Sequence, residues 1–207
     1  MGYALYLAQN GNKHPKAKPL SGFGGAGVLE VVDDFDGDTY RAVYTVRFAE
    51  SIYVLHTFQK KSRSGIATPP QEIATVRARL KTVEMLHRDW LAQEEPKMND
   101  NTSIFVGSGN VFADLGLPNP ELLLAKAKLI VQIQDFMDKH LLTLAQIAAQ
   151  IGVTEEQVGR LLAGRLDDFT FDQLFQFLNR LGRRVEVRIS AENYPPEEAT
   201  LSVVAAY

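Results

Sequence analysis

Lys60 and Lys61 stand side by side at the end of an apolar stretch, Tyr53-Val54-Leu55-His56-Thr57-Phe58-Gln59-Lys60-Lys61, with Phe58 just before them. A buried strand has little packing reason to end in adjacent lysines, because each ammonium must stay hydrated or meet an anion. Two cations beside an aromatic ring suit a nucleic acid: the cations neutralise phosphate and the ring stacks on a base. The alternative reading is a strand that simply ends at the surface. The surrounding elements have to decide between them.

A chain of 207 residues can hold two modest domains, each with its own core. Hydrophobic residues at 45% and charged residues at 23% exclude wholesale disorder. The absence of cysteine excludes disulfide frameworks, thiol catalysis and cysteine-based zinc sites. His14, His56, His87 and His140 have no metal-ligand spacing, and neither a metal nor a cofactor is expected. No basic segment precedes an apolar run at the N-terminus, and no run approaches the roughly 20 residues of a membrane span. The expectation is a cytoplasmic protein with no membrane contact. The net charge of −3 conceals an asymmetry: through Lys97 there are 13 Lys/Arg against 11 Asp/Glu, and from Met98 onward 9 against 14. A basic half followed by an acidic half favours an encounter between them.

Residues 3–9 read as the last turns of a helix stopped at Gly11, an opening expected of a chain whose N-terminal sequence has been lost or whose true start lies upstream. Residues 22–27 match the glycine spacing of a dinucleotide fingerprint, but that fingerprint needs a strand before it and a helix after it, whereas here a strand follows. Three strands are expected, at 28–32, 39–48 and 52–58, joined by short connections as an antiparallel meander. In the middle one, Tyr40, Ala42, Tyr44, Val46 and Phe48 form an apolar face, and Arg41, Val43, Thr45 and Arg47 form the other. If the third strand pairs beside it, Arg41 can share a surface with Phe58 and the lysines. Thr68-Pro69-Pro70-Gln71 reads as a capping box opening a helix whose stripe is Ile73, Val76, Leu80, Val83 and Trp90.

Tyr40-Arg41-Ala42-Val43-Tyr44, then Val54-Leu55-His56-Thr57-Phe58-Gln59-Lys60-Lys61, then Thr68-Pro69 before a basic helix, resemble HigB toxins of the RelE/ParE superfamily in their phage-derived subgroup. The resemblance covers about residues 1–90. It implies a small α+β ribonuclease that cuts messenger RNA, often on the ribosome, and its members begin with an additional strand and a fuller first helix. Attack of a 2′-hydroxyl on its own phosphate needs a base, an acid and cations for the developing charge, which lysine and arginine can supply without metal. On that basis Lys60 and Lys61 are assigned phosphate binding and proton transfer, Arg41 the transition-state charge, and Phe58 base stacking. His56 reads instead as a core residue with a satisfied hydrogen bond.

Residues 93–102 read as a linker, and 103–119 as an arm in which Phe105, Phe112 and Leu115 pack on something. Asn119-Pro120-Glu121 opens a helix with Leu122, Ala125, Leu129, Ile133 and Phe136 or Met137 as its buried stripe. Thr143 then caps a helix at 144–151, Gly152 makes a turn, and Thr154 caps a second helix ending at Gly164. This is the spacing of a helix-turn-helix, with Ala148 at the crossing and Ile147, Val158 and Leu161 or Leu162 locking the pair. A further helix capped by Thr170 and Gln173 ends at Gly182, and residues 185–189 alternate as a short strand. This half resembles an Xre/Cro-type antitoxin of the HigA class over about residues 103–189. The resemblance implies operator binding and a homodimer formed through the C-terminal domain, the short strand pairing across a two-fold axis. Thr154, Gln157, Arg160 and Arg165 are the residues left to meet DNA, since Leu144 cannot donate and Glu155 and Glu156 repel phosphate.

The expected architecture is α+β: an N-terminal RelE-like antiparallel sheet with helices at 1–92, a linker at 93–102, a mostly α helix-turn-helix domain with a short strand at 103–190, and a tail at 191–207. The expected function is a toxin–antitoxin pair in one chain, an mRNA-cleaving domain restrained by a DNA-binding domain that represses its own operon. Its rivals are a DNA-binding transcriptional regulator whose toxin half is inactive, and a structural scaffold with neither activity.

Overall fold

The computed structural model describes residues 1–25, 27–35, 38–48, 51–60, 68–91, 105–189 and 201–204. The chain divides into two compact units, Tyr3–Val106 and Gly107–Tyr207. The expected linker at 93–102, the basic loop at 61–67 and most of the tail lie outside the described residues.

The first unit opens with helix α1 (Gly2–Gln9), whose six residues from Tyr3 to Ala8 are all buried. A helix apolar on every side belongs inside a core. Four strands follow in an antiparallel sheet of order β1-β2-β3-β4: β1 (Lys18–Pro19), β2 (Val28–Phe35), β3 (Asp38–Phe48) and β4 (Ser51–Lys60). The three long strands are the expected meander; β1, only two residues long, carries no periodicity to read. The alternation on β3 predicted one apolar face and one arginine-bearing face. Instead Arg41, Ala42, Val43, Tyr44 and Thr45 are all buried, so both faces of the strand centre are covered. Two irregularities in the β3–β4 ladder, the first skipping Leu55 between Val43↔His56 and Tyr44↔Val54, let Leu55 join the core despite its parity.

Helix α2 (Pro70–Leu91) covers one face of this sheet. Val76, Leu80 and Val83 pack with Val43, Leu55, Val28, Leu20 and Phe23, and Ile73 and Phe58 pack at the margin. Thr68 does not cap the helix as expected. The Pro69 carbonyl accepts the first bond, from Ile73 N–H, and the Thr68 hydroxyl is used elsewhere. Trp90, expected on the buried stripe, is 54% exposed. His87 takes the buried position one turn earlier, its Nδ1 lying 2.9 Å from the Tyr53 hydroxyl.

The second unit is helical: α3 (Val111–Asp114), α4 (Pro120–Lys139), α5 (Leu144–Ile151), α6 (Glu155–Leu162) and α7 (Phe171–Arg180), with a 3-10 turn at Leu166–Asp168. Within the expected arm, α3 was not foreseen. Asn110 caps it through its side chain, Phe112 is buried to 2% exposure, and Phe105 remains 79% exposed. On α4, Ala125, Leu129, Ile133 and Met137 are buried as predicted, while Leu122 is exposed. Helices α5, α6 and α7 each start with the same reciprocal box: Thr143 with Gln146, Thr154 with Gln157, Thr170 with Gln173. Each box satisfies two otherwise orphaned donors, at about 1 kcal/mol per cap. The short strand expected at 185–189 does not form within the chain: residues 183–189 have no regular structure, and the described residues provide no second strand beside them. A strand needs a partner for its backbone groups.

Two helix ends differ in how well the residue suits the backbone. Gly152 ends α5 at φ 71°, and the Arg180 guanidinium, bonded to the Ile151 carbonyl oxygen, occupies the space a Cβ would need. Leu141 stands after α4 at φ 52°, 89% exposed, with its N–H bonded to the Asp138 oxygen and the Leu142 N–H to that of Met137. After α6 and α7 the same place is held by Gly164 and Gly182. Gly152→Ala should therefore destabilise by about 2 kcal/mol. Leu141→Gly, losing strain and almost no buried surface, should stabilise by about 0.5–1 kcal/mol. Urea denaturation midpoints at constant m-value check both.

Candidate functional site

The register of β3 and β4 assembles the first candidate site. Arg41 pairs with Phe58 and Val43 with His56, so Phe58 and His56 fall on the sheet face that bears Arg41 and Val43, and the backbone of Lys60 pairs with Thr39. Glu30 on β2 pairs with Val43 and joins the same face. This is the face covered by α2. Lys60 ends β4, and Lys61 lies outside the described residues.

Arg41 is brought to the site but is not presented to solvent. It is 5% exposed, and its Nη1 donates to Glu30 Oε2 at 2.6 Å and to Thr68 Oγ1 at 2.9 Å. A buried guanidinium needs such a partner, because breaking a buried pair costs about 3–5 kcal/mol. Phe58, expected as a free stacking platform, is half-buried against the core and stacks on His56 with ring centroids 5.2 Å apart and 28° between planes. His56 has the satisfied hydrogen bonding expected of it: Nε2 lies 2.5 Å from Glu72 Oε2 and Nδ1 lies 3.1 Å from Arg79 Nη1. Further along, Arg47 pairs with Glu84 of α2.

Glu72, Arg79 and Glu84 went unnoticed in the sequence because they flank the apolar stripe of α2 and read as a solvated face. The signal was their spacing: Glu72, Val76 and Arg79 fall at i, i+4 and i+7, on one side of a helix. Across this face a β-strand cation or imidazole meets a carboxylate each time, Arg41 with Glu30, His56 with Glu72 and Arg47 with Glu84.

The second candidate site is on α6. Thr154 and Gln157 are occupied by capping: Thr154 N–H donates to Gln157 Oε1 at 3.0 Å, and Gln157 N–H donates to Thr154 Oγ1 at 3.2 Å. Arg160 is exposed and reaches Asp168 Oδ2 at 3.4 Å, a partner not foreseen from sequence. Arg165 is exposed beside it. Glu155 and Glu156 are exposed in the first turn, where the helix dipole favours them but phosphate does not. Among the titrating groups of this unit, Asp135 of α4 has its carboxyl pushed above the usual range by burial and by Asp138, with Arg183 opposing.

Among the described residues no cluster of three or more metal-ligating side chains occurs, and no helix is long and apolar enough to cross a membrane. Residues 1–81 match the family described as phage-derived protein Gp49-like, and residues 111–190 match a helix-turn-helix domain family. A solved structure titled putative XRE family transcriptional regulator is 30% identical over an alignment covering 43% of this chain and 100% of that one, with a TM-score of 0.40. No curated protein matches the chain. The first half of the chain thus carries a phage-derived Gp49-like domain and the second a helix-turn-helix domain, a pairing that supports a toxin–antitoxin fusion.

Proposed function

We propose that the first domain, at about 1–92, is a metal-independent ribonuclease that cleaves messenger RNA, and that the helix-turn-helix domain at 103–190 restrains it and binds operator DNA. The observation that carries this reading is the strand register that gathers Phe58, His56 and Arg41 on one sheet face at the strand that ends in Lys60. Cations beside a ring are what a single-stranded RNA requires, and lysine and arginine can stabilise a developing phosphorane without metal. Lys60 and Lys61 are the cations proposed to meet the phosphate, Arg41 the residue proposed to stabilise the transition-state charge, and Phe58 the stacking ring. The ribosome is the proposed setting for cleavage, in the cytoplasm.

A regulator with an inactive toxin half is the second reading. It is favoured by the burial of Arg41 against Glu30, which leaves that guanidinium screened by a carboxylate. Expression of residues 1–97 and of the full chain in parallel separates the two. The first reading expects growth arrest and metal-independent mRNA cleavage by 1–97, suppressed in the full chain; absence of cleavage in both favours the regulator. In the active form, alanine at both Lys60 and Lys61 should abolish cleavage, by at least about 100-fold, with an unchanged melting temperature. Undiminished cleavage by that double variant removes the lysines from the mechanism.

For the helix-turn-helix domain, docking through α6 would bring its N-terminal turn near the DNA backbone, and a homodimer would set two such helices roughly 34 Å apart on a palindrome. The exposed Glu155 and Glu156 oppose that approach, so binding should be weak and steeply salt-dependent, carried by Arg160 and Arg165. Arg160 has first to leave Asp168. Glu155→Gln should tighten binding to the chain's own promoter and flatten its salt dependence, read by fluorescence anisotropy. Promoter binding absent from both wild type and Glu155→Gln at low salt would make the motif a packing unit.

A further inference from the structure

Nδ1 of His56 is turned toward a cation and Nε2 toward a carboxylate. Arg79 Nη1 lies 2.8 Å from the Leu55 carbonyl oxygen and 3.1 Å from His56 Nδ1. A guanidinium only donates, so Nδ1 carries a lone pair, and the proton of the neutral ring sits on Nε2, donated to Glu72 Oε2 at 2.5 Å. Glu72 thus fixes the tautomer, and the stacked Phe58 ring fixes the tilt of the imidazole. Of Arg79's two contacts the shorter is to Leu55, the residue skipped in the β3–β4 ladder. The guanidinium therefore stays anchored when Nδ1 takes another partner. A histidine serving packing alone would be covered on both sides; here the contact at Nδ1 is at the surface, beside an exposed guanidinium. A carboxylate, an imidazole and a guanidinium in series supply an orienting group, a base and a charge-stabilising cation within hydrogen-bond distances.

We propose that His56 is the general base for RNA cleavage, with Glu72 its positioning residue and Arg79 the cation that meets the reacting phosphate; this rests on the ribonuclease reading above. Nδ1 takes the proton of a ribose 2′-hydroxyl, and the O2′–P bond forms as the P–O5′ bond breaks. The leaving 5′-oxygen takes a proton from water, and the imidazolium returns its proton to solvent. The products are a 2′,3′-cyclic phosphate and a 5′-hydroxyl. The substrate class is single-stranded RNA, because DNA lacks the attacking hydroxyl. On this assignment the lysines bind phosphate and the proton transfer at the 2′-oxygen belongs to His56.

The test uses the full chain with 15N-labelled histidine and a short single-stranded RNA bearing 2′-O-methyl groups, which binds without being cleaved. In the free protein His56 should show a protonated Nε2 and a bare Nδ1, a tautomer preference lost in Glu72→Ala. Titration with the methylated RNA should shift the Nδ1 resonance to saturation. With unmodified RNA, His56→Gly should lose at least about 100-fold in cleavage rate and regain part of it with added imidazole, in proportion to the unprotonated form. A structural histidine would give no such rescue. RNA bound with an unchanged His56 spectrum, loss of cleavage without imidazole rescue, or wild-type cleavage by His56→Gln overturns the assignment and leaves the ribonuclease reading standing. Absence of RNA binding by anisotropy overturns both. The spectral measurement reads the assignment even where the fused domain holds cleavage low.

Discussion

Arg41 sits where water cannot hydrate it, and the first unit is arranged to keep its charge accompanied. Glu30 reaches it from β2, and Thr68 reaches it from the residue pair that precedes α2. This contact joins β2, β3 and the start of α2. With Thr68 held at the sheet, Pro69 supplies the first helical carbonyl and Pro70 the first helical position, where a missing N–H costs nothing. From there the helix runs along the sheet face so that Val76, Leu80 and Val83 meet Val43 and Leu55, and Glu72 and Glu84 come opposite His56 and Arg47. Apolar burial supplies the driving force, and the polar contacts around its rim set the position of the helix.

That arrangement bears on what an RNA would meet. A sheet face whose cations already have carboxylate partners attracts phosphate less than their number implies, since each pair is nearly neutral at a distance. Binding has to compete with Glu30, Glu72 and Glu84 or to use cations outside those pairs.

The second unit secures its helices differently. Each of α5, α6 and α7 opens with a threonine and a glutamine that satisfy one another's backbone donors, and α5 closes on Gly152 with the Arg180 guanidinium against the Ile151 carbonyl. Ile147, Ile151, Val158, Leu161 and Leu174 are fully buried between them. These devices define a helix-turn-helix rigidly and at the same time consume Thr154 and Gln157, two of the polar groups expected from the sequence to meet DNA. The remaining polar surface at the start of α6 is acidic. A well-made motif and a poor anion-binding surface thus coexist, because the glutamates that suit the helix dipole are the ones that repel phosphate.

Local chemistry was legible in the sequence. The meander followed from period-two alternation between short turns, the stripe of α4 from its 3.6-residue repeat, and the helix-turn-helix from Thr143, Gly152 and Thr154, because each is decided by contacts a few residues apart. The placement of Phe58 and Arg41 on a shared face was legible too, given that β3 and β4 pair. What tertiary structure alone decided was which polar side chains remain available. Arg41 is buried because α2 covers that face, and Phe58 is half-covered for the same reason. Trp90 is exposed because His87 fills the buried turn before it. Leu55 reaches the core through an irregular ladder that no alternation reveals. Glu72 and Arg79 become partners of His56, and Asp168 a partner of Arg160, across separations of 16, 23 and 8 residues. Periodicity records how a residue faces its own element, whereas a charge is free or spent according to what another element places opposite it.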